Sequence, residues 1–352
     1  MRHPIIEEDL RRILAAGLPW HDFAGRTVLI TGASGFLGAY MVHTLLYLNE
    51  QNAFGVRVLA LVRDLDKAQA RFDSYQGRSD LRFVVQDVTA PLRCDEAVDY
   101  IVHAASPASP RSYLRDPVGT VRANVLGTDH LLELAHRCGS RAFLLFSSGD
   151  VYGRVDAAHM PLREDSFGYL DPTDPRACYG ESKRLAETLC VSWHSQHGVH
   201  ARIVRISHTY GPGQALNDGR VFSDFVGDVV GHRDIVMKSD GGARRPFCYL
   251  ADATAGFFTV LLKGQDGQAY NLANPDQEVS VLELAQTLAD LFAERKISVV
   301  QQAGSALSPN MNVLGSVSID KIGRLGWKPS TSIREGFRRT VESFEPARIP
   351  SG

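Results

Sequence analysis

Tyr179 and Lys183 stand four residues apart, and residues at that spacing share one face of a helix. An ammonium beside a phenol favours the phenolate and lowers a pKa that is otherwise about 10. Such a tyrosine can take the proton of a hydroxyl group whose carbon gives up a hydride. As a bare pattern Y-x-x-x-K is common and usually marks a solvated helix face. Ser147-Ser148 closes an apolar run upstream of the pair and supplies a hydroxyl that would complete the constellation.

A hydride needs an acceptor, and a second motif supplies a place for one. Gly32-x-x-Gly35-x-x-Gly38, within Thr31-Gly32-Ala33-Ser34-Gly35-Phe36-Leu37-Gly38, lies between the apolar run Thr27–Ile30 and a helical stretch through Leu48. Glycines there let backbone approach a dinucleotide pyrophosphate, and a helix N-terminus offers amide donors. The spacing is one residue wider than G-x-G-x-x-G. Asp87-Val88 ends a later strand, where a carboxylate can take an adenine amine. His103-Ala104-Ala105 follows the strand after that, with residues small enough for a cofactor to pass. At the end of the second strand stand Val62-Arg63-Asp64. Arg63 suits a 2′-phosphate and Asp64 suits ribose hydroxyls. A cofactor reduced and reoxidised within one turnover should start oxidised, so the expectation is NAD⁺.

Alternating strands and helices must hold these residues. Apolar runs at Val56–Val62, Leu81–Val85, Tyr100–Val102, Ala142–Phe146 and Ile203–Ile206 alternate with helical stretches such as Val118–Cys138 and Ser182–His197. Such continuous runs predict an α/β fold with a parallel sheet covered on both faces. After Tyr210 glycine and proline breaks give way to a mixture of helices and short strands. Ile5–Ala16 reads as an amphipathic helix packed across the main domain, rather than a partner-binding arm. The 352 residues are 44% hydrophobic and 22% charged, with a net charge of −2. That balance argues against nucleic acid as a partner, since phosphate binding leaves a basic excess. No apolar run is long enough to span a membrane. Met1–Arg12 is charged where a signal peptide needs an apolar core, and the expected compartment is the cytoplasm. Cys94, Cys138, Cys178, Cys190 and Cys248 are odd in number and scattered, which predicts neither a disulfide framework nor a zinc site.

With these motifs the chain resembles the extended short-chain dehydrogenase/reductases, the NAD-dependent superfamily of nucleotide-sugar epimerases, dehydratases and decarboxylases. The likeness runs from about Arg26 to Glu345. Within it, several stretches look most like UDP-glucuronate decarboxylases: His103-Ala-Ala-Ser-Pro-Ala-Ser-Pro110, Asn124-Val-Leu-Gly-Thr128, Pro175-Arg-Ala-Cys-Tyr179, Lys183-Arg-Leu-Ala-Glu-Thr188 and Asn217-Asp-Gly-Arg220. The resemblance implies a Rossmann-type doubly wound sheet over residues 25–206, with a returning segment at about 244–273. A smaller mixed α/β part, 207–243 with 274–346, would hold substrate, and 1–24 would be a helical extension. It implies a redox triad of Ser148, Tyr179 and Lys183, and a nucleotide-sugar substrate. Asn217 and Arg220 would grip the diphosphate, Arg245 would lie near the sugar, and Asn124 and His208 would line the pocket. The helices bearing Asn124 and Lys183 resemble those that pair in a homodimer.

The departures fall on the substrate side. These decarboxylases carry Thr-Ser-Glu before Val-Tyr-Gly, where this chain has Ser148-Gly149-Asp150. Their Asn-Thr-Phe-Gly-Pro stretch has His208 in place of its asparagine, and Gly213 replaces the arginine after the proline. His208 has no second ligand at suitable spacing, which makes it a hydrogen-bonding residue and not a metal ligand. A 4,6-dehydratase needs an adjacent acid pair, which Gly149 cannot complete. A 4-epimerase needs only room for the keto sugar to turn over. A decarboxylase needs a hexuronic acid, whose 4-keto form loses CO₂, with Arg245 and Asp150 placed to manage carboxylate and C5 proton. A regulator that merely binds dinucleotide would have no use for the intact triad.

Overall fold

The computed structural model describes residues 2–92, 96–302 and 316–346. Cys94 lies outside them. The strands in chain order are β1 (Thr27–Thr31), β2 (Arg57–Val62), β3 (Leu81–Val85), β4 (Tyr100–His103), β5 (Ala142–Ser148), β6 (Ala201–Ile206) and β7 (Thr209–Tyr210). They continue as β8 (Ile235–Met237), β9 (Arg244–Pro246), β10 (Cys248–Tyr249), β11 (Ala269–Leu272), β12 (Glu278–Ser280) and β13 (Val299–Gln301). The first six helices are α1 (Pro4–Leu14), α2 (Phe36–Asn52), α3 (Leu65–Arg71), α4 (Pro110–Arg115), α5 (Pro117–Cys138) and α6 (Cys178–His197). Then come α7 (Val221–Val230), α8 (Leu250–Lys263), α9 (Val281–Leu291), α10 (Asp320–Gly323) and α11 (Ile333–Glu342).

Among the described residues, seven strands form one parallel sheet in the order β11-β6-β5-β4-β1-β2-β3. Every residue of β1 and β4 is buried, as expected of apolar runs covered by helices on both faces. The chain steps outward from β1 to β3, then crosses back to β4 on the other side of β1. That reversal opens a crevice beyond the carboxyl ends of β1 and β4, where ligands of open α/β sheets bind. The Rossmann-type expectation holds.

Two element ends differ from the apolar pattern, and both bear on the site. β5 runs on through Ser147 and Ser148, because these still pair with Arg205 and Ile206 of β6. The helix of the Tyr-Lys pair starts at Cys178 and not Ser182, after a turn at Pro175–Ala177 in which Asp174 accepts the Arg176 amide at 2.9 Å.

Beyond β6, short strand pairs β7–β10, β9–β12 and β8–β13 combine with α7, α9 and α11. Tyr210 stacks on Phe337 of α11 with ring centres 3.8 Å apart. At the other end of the chain, α1 packs on α2 and α8 and buries Leu10 and Ile13. Its Asp9 is fully buried and accepts from Arg339 at 2.6 Å, Tyr249 at 2.7 Å and Tyr40 at 2.9 Å. Burial still holds the Asp9 carboxyl above the usual range, despite these donors. Among the described residues, no helix is long and apolar enough to cross a membrane.

Candidate active site

At the carboxyl end of β1 the backbone itself makes the cradle. Gly32 has φ of 62°, and a Cβ there would lie 2.8 Å from Ala105 Cα and 2.9 Å from the Ala104 oxygen. A Cβ on Gly38 would meet the Gly32 carbonyl at 2.6 Å. The loop therefore closes tightly under the N-terminus of α2 and against the segment after β4. Gly35 precedes that helix with no side-chain cap, which leaves first-turn amides for an anion. Ser34, Phe36 and Leu37 line this opening, each partly exposed. Thr31 ties the two strand ends by accepting the Ala105 amide at 3.1 Å and bonding His103 Nδ1 at 2.9 Å.

Farther out, Arg63 and Asp87 approach to 3.8 Å, both largely exposed. Asp87 accepts from the Thr89 amide and hydroxyl at 2.8 Å each, which lowers its pKa. Asp64, the alternative ribose acceptor, is turned to cap α3 by accepting the Lys67 amide at 2.9 Å. Val88 is buried against Gly127 of α5, as packing and not as an exposed contact.

The first turns of α6 carry Tyr179 and Lys183 to the end of β5. Lys183 is 2% exposed, donates to the Phe146 carbonyl at 2.7 Å, and lies 5.9 Å from the centre of the Tyr179 ring. Burial pulls its pKa down to about 7, against the pull of Glu187 in the other direction. The sequence reading expected the pair to lower the Tyr179 pKa. The net direction is the opposite. Burial raises it, the Asp150 carboxylate adds to the rise, and Ser148 and Arg220 offset only part.

Asp150 follows Ser148 in the turn Gly149–Tyr152, its amide bonded to Ser148 Oγ at 3.2 Å. Burial raises its carboxyl pKa, while Arg220 and Arg245 pull it back. Arg245, only 7% exposed, donates to the Arg244 carbonyl at 2.8 Å, and burial lowers its pKa. His208 is pushed down to about 3 by burial and by the same two arginines, and so is neutral. Ser148, Asp150, Tyr179, His208, Arg220 and Arg245 are thereby brought into one electrostatic cluster from five separate segments.

Two loops clasp each other over this centre. Arg111 of α4 donates to the Asn217 carbonyl at 2.6 Å, and Arg220 donates back to the Ala108 carbonyl at 3.2 Å. Asn124 does not join the cluster. It is fully buried between α5 and α6 and donates to Ser182 Oγ at 2.9 Å, so it holds the helix of the pair in place. Gly213 sits under Arg71, whose guanidinium donates to its carbonyl at 3.2 Å and fills the space a Cβ would need.

Sequence reasoning missed Tyr113. Its ring stacks on Tyr179 with centres 5.3 Å apart and planes 10° apart, and burial with the Asp150 charge takes its pKa to about 12. It lies three residues past the Ser-Pro-Ala-Ser-Pro stretch, the one signal that pointed to it. Glu187 and Arg205, behind Lys183, were also not singled out.

The model of the NAD dependent epimerase/dehydratase family matches residues 28–273. The chain belongs to that family. It is 35% identical over 317 residues to UDP-glucuronic acid decarboxylase 5 of Arabidopsis thaliana, covering 90% of this chain and 89% of that protein. It is 33% identical over 319 residues to UDP-glucuronic acid decarboxylase 1 of Danio rerio, covering 91% and 72%. Among solved structures, the dTDP-glucose 4,6-dehydratase DesIV of Streptomyces venezuelae with NAD bound has a TM-score of 0.76 at 25% identity, covering 90% and 96%. UDP-glucuronic acid 4-epimerase of Bacillus cereus, in complex with UDP-glucuronic acid and NAD, has a TM-score of 0.76 at 22% identity, covering 91% and 99%. The cofactor of this family is NAD, and the cradle fits it. The space kept clear of side chains at Gly32 and Gly38, below uncapped amides, is what a pyrophosphate requires.

Proposed function

We propose that the protein converts a nucleoside-diphosphate hexuronic acid to the corresponding pentose, as UDP-glucuronate to UDP-xylose, with loss of CO₂. The observation that carries this reading is the buried guanidinium of Arg245, whose charge acts on Asp150 in the same cluster as Tyr179. That is a place for a substrate carboxylate, and the relatives that cover most of the chain are named for such a reaction. NAD, held with its pyrophosphate at the Gly32 and Gly38 cradle, would supply the oxidant for sugar C4.

Tyr179 accepts the proton of the C4 hydroxyl as the phenolate that the Lys183 ammonium beneath its ring and the Ser148 hydroxyl favour, with Ser148 holding the substrate oxygen. Arg220 and Asn217 hold the diphosphate, and Arg245 holds the C6 carboxylate. Once C4 is a ketone, the C5–C6 bond is β to it. CO₂ leaves, and the bonding pair passes into an enolate whose oxygen faces Ser148 and Tyr179. Burial raises the Asp150 pKa, which suits its carboxyl to the proton transfer at C5. Tyr179 then returns its proton to O4. Gly149 leaves no second acid beside Asp150, which disfavours expulsion of a C6 hydroxyl. Apolar side chains left exposed on α5 (Val118, Val121, Leu126) and on α6 (Leu185, Val191) support a homodimer through these helices.

The test is incubation of purified protein with UDP-glucuronate and NAD⁺, measuring CO₂ and sugar mass. Release of CO₂ with a matching loss of mass supports the reading. Unchanged mass with inverted C4 transfers it to a 4-epimerase, and loss of water from a neutral hexose to a dehydratase. Inertness toward every nucleotide sugar would leave only dinucleotide binding.

A further inference from the structure

Behind the Tyr-Lys pair lies a buried charged cluster that the mechanism above does not use. Glu187 stands one turn beyond Lys183 on α6 and is 9% exposed. Its carboxylate accepts Ser147 Oγ at 2.5 Å and the guanidinium of Arg205 at 2.8, 3.0 and 3.3 Å. Arg205, on β6, gives its remaining donors to the Tyr152 hydroxyl at 3.1 Å and the Glu164 carbonyl at 2.8 Å. One carboxylate thus joins α6 to the ends of β5 and β6, at the residue next to Ser148.

The charges around Lys183 are few. From its own helix it faces Tyr179, Glu187 and the Cys190 thiol, and from β4 it faces His103. His103 is neutral, held down to about 3 by burial, and burial drives the Cys190 pKa upward. From β5 comes the Phe146 carbonyl, and from β6 Arg205 reaches Glu187. Glu187 is therefore the carboxylate that acts on Lys183 among these groups. Without it, Lys183 would lose that carboxylate and Arg205 would be left a buried guanidinium without its counterion.

We propose that Glu187 is a positioning residue for the reaction: its bonds to Ser147 and Arg205 seat α6 against β5, and its charge keeps Lys183 an ammonium beneath Tyr179. This rests on reading Tyr179 and Lys183 as the redox pair. It does not depend on which sugar is consumed.

The experiment uses Glu187→Gln in the full chain. The amide can still accept from Ser147 but carries no charge and leaves Arg205 unbalanced. The chain has seven lysines, so ¹⁵N-lysine NMR resolves the Lys183 ammonium through a pH titration. The Lys183 midpoint should fall by about one pH unit or more, on the scale of losing one opposite charge at close range. In turnover, the alkaline limb of kcat should move down by the same amount while KM for the sugar changes little. Glu187→Asp should restore both. The double variant Glu187→Gln/Arg205→Met removes the charge pair together, and should shift the Lys183 midpoint less than Glu187→Gln alone. A midpoint and kcat profile unchanged in Glu187→Gln, with only lower thermal stability, would overturn the proposal and leave Glu187 a structural residue. So would a larger shift in the double variant than in the single one. A shifted midpoint in a protein inert toward UDP-glucuronate would support this inference and refute the decarboxylase reading.

Discussion

The cofactor half of the cleft is shaped by backbone and by missing side chains, whereas the substrate half is shaped by charged side chains delivered from separate elements. At Gly32 and Gly38 the limiting distances are to carbonyl oxygens and Cα atoms, which cannot move aside. Around Asp150 the limits come from long side chains: Arg220 and Arg245 act on its carboxyl, and its charge acts on Tyr113. The first kind of site tolerates no added atom. The second is made of side chains that can be exchanged, and the departures from the decarboxylase pattern at Gly149, Asp150, His208 and Gly213 fall there. Tyr179 belongs to both halves.

The largest effect should follow at that shared residue. Tyr179→Phe removes the proton acceptor and should lower kcat by about 10²–10⁴, the range for loss of a general base. Retained NAD, measured after denaturing the purified variant, should be unchanged. Near-normal turnover would place the chemistry elsewhere.

Acid stability separates the two halves next. His103 in the cofactor half and His208 in the substrate half are both pushed to about 3, by burial first. An unfolded histidine titrates at about 6.5, so below that pH the unfolded chain takes up protons that the folded chain refuses. Stability is full above about 6.5 and falls as the pH drops toward 3. For His103, 1% exposed, the loss should reach about 2 kcal/mol by pH 5. His208 is partly exposed, and its share should be smaller. An anion held by Arg220 and Arg245 would offset their repulsion, so UDP should raise the His208 pKa and leave His103 unmoved. Thermal melts of His103→Gln and histidine NMR with and without UDP check both statements. Equal response of the two histidines to UDP would erase the contrast.

A smaller loss is expected from one methyl group. Gly38→Ala puts a Cβ at 2.6 Å from a backbone oxygen, and overpacking of this kind costs about 1–3 kcal/mol. NAD affinity, measured by calorimetry on cofactor-stripped protein, should weaken by about 10- to 100-fold. Unchanged affinity would mean the cradle has slack.

This contrast also explains what could be read from the sequence. The glycine loop, the apolar strands and the Tyr-Lys spacing are local patterns, and each is written within a few adjacent residues. β1, α2 and the start of the cleft were legible for that reason. The approach of Arg245 to Asp150, or the stacking of Tyr113 on Tyr179, joins segments far apart in the chain and has no local signature. The Tyr179 pKa was misjudged on the same ground. Spacing along a helix revealed Lys183 but not the depth of burial or the Asp150 charge. Asn124 illustrates the reverse case, a residue in a local motif whose burial and bond to Ser182 across α5 and α6 have no local signature.

Arg63 should give the smallest effect, and it tests the comparison from the other side. It is a charged side chain in the half that depends on backbone. Its guanidinium is 74% exposed and 3.8 Å from Asp87, and exposed ion pairs contribute only about 0.2–1 kcal/mol. Arg63→Ala should therefore change NAD affinity by no more than about fivefold. NADP⁺ differs by an added 2′-phosphate, for which Arg63 is the cation at the end of β2, while Asp64 is engaged at the cap of α3. The substitution should weaken NADP⁺ more than NAD⁺ and sharpen the preference for NAD⁺. Calorimetric titration of both dinucleotides into stripped wild-type and variant protein gives the two ratios. A loss of NAD⁺ affinity of 10-fold or more would mean that a surface charge carries the cofactor half too. The division between a site made of backbone and a site made of charges would then fail at its most exposed residue.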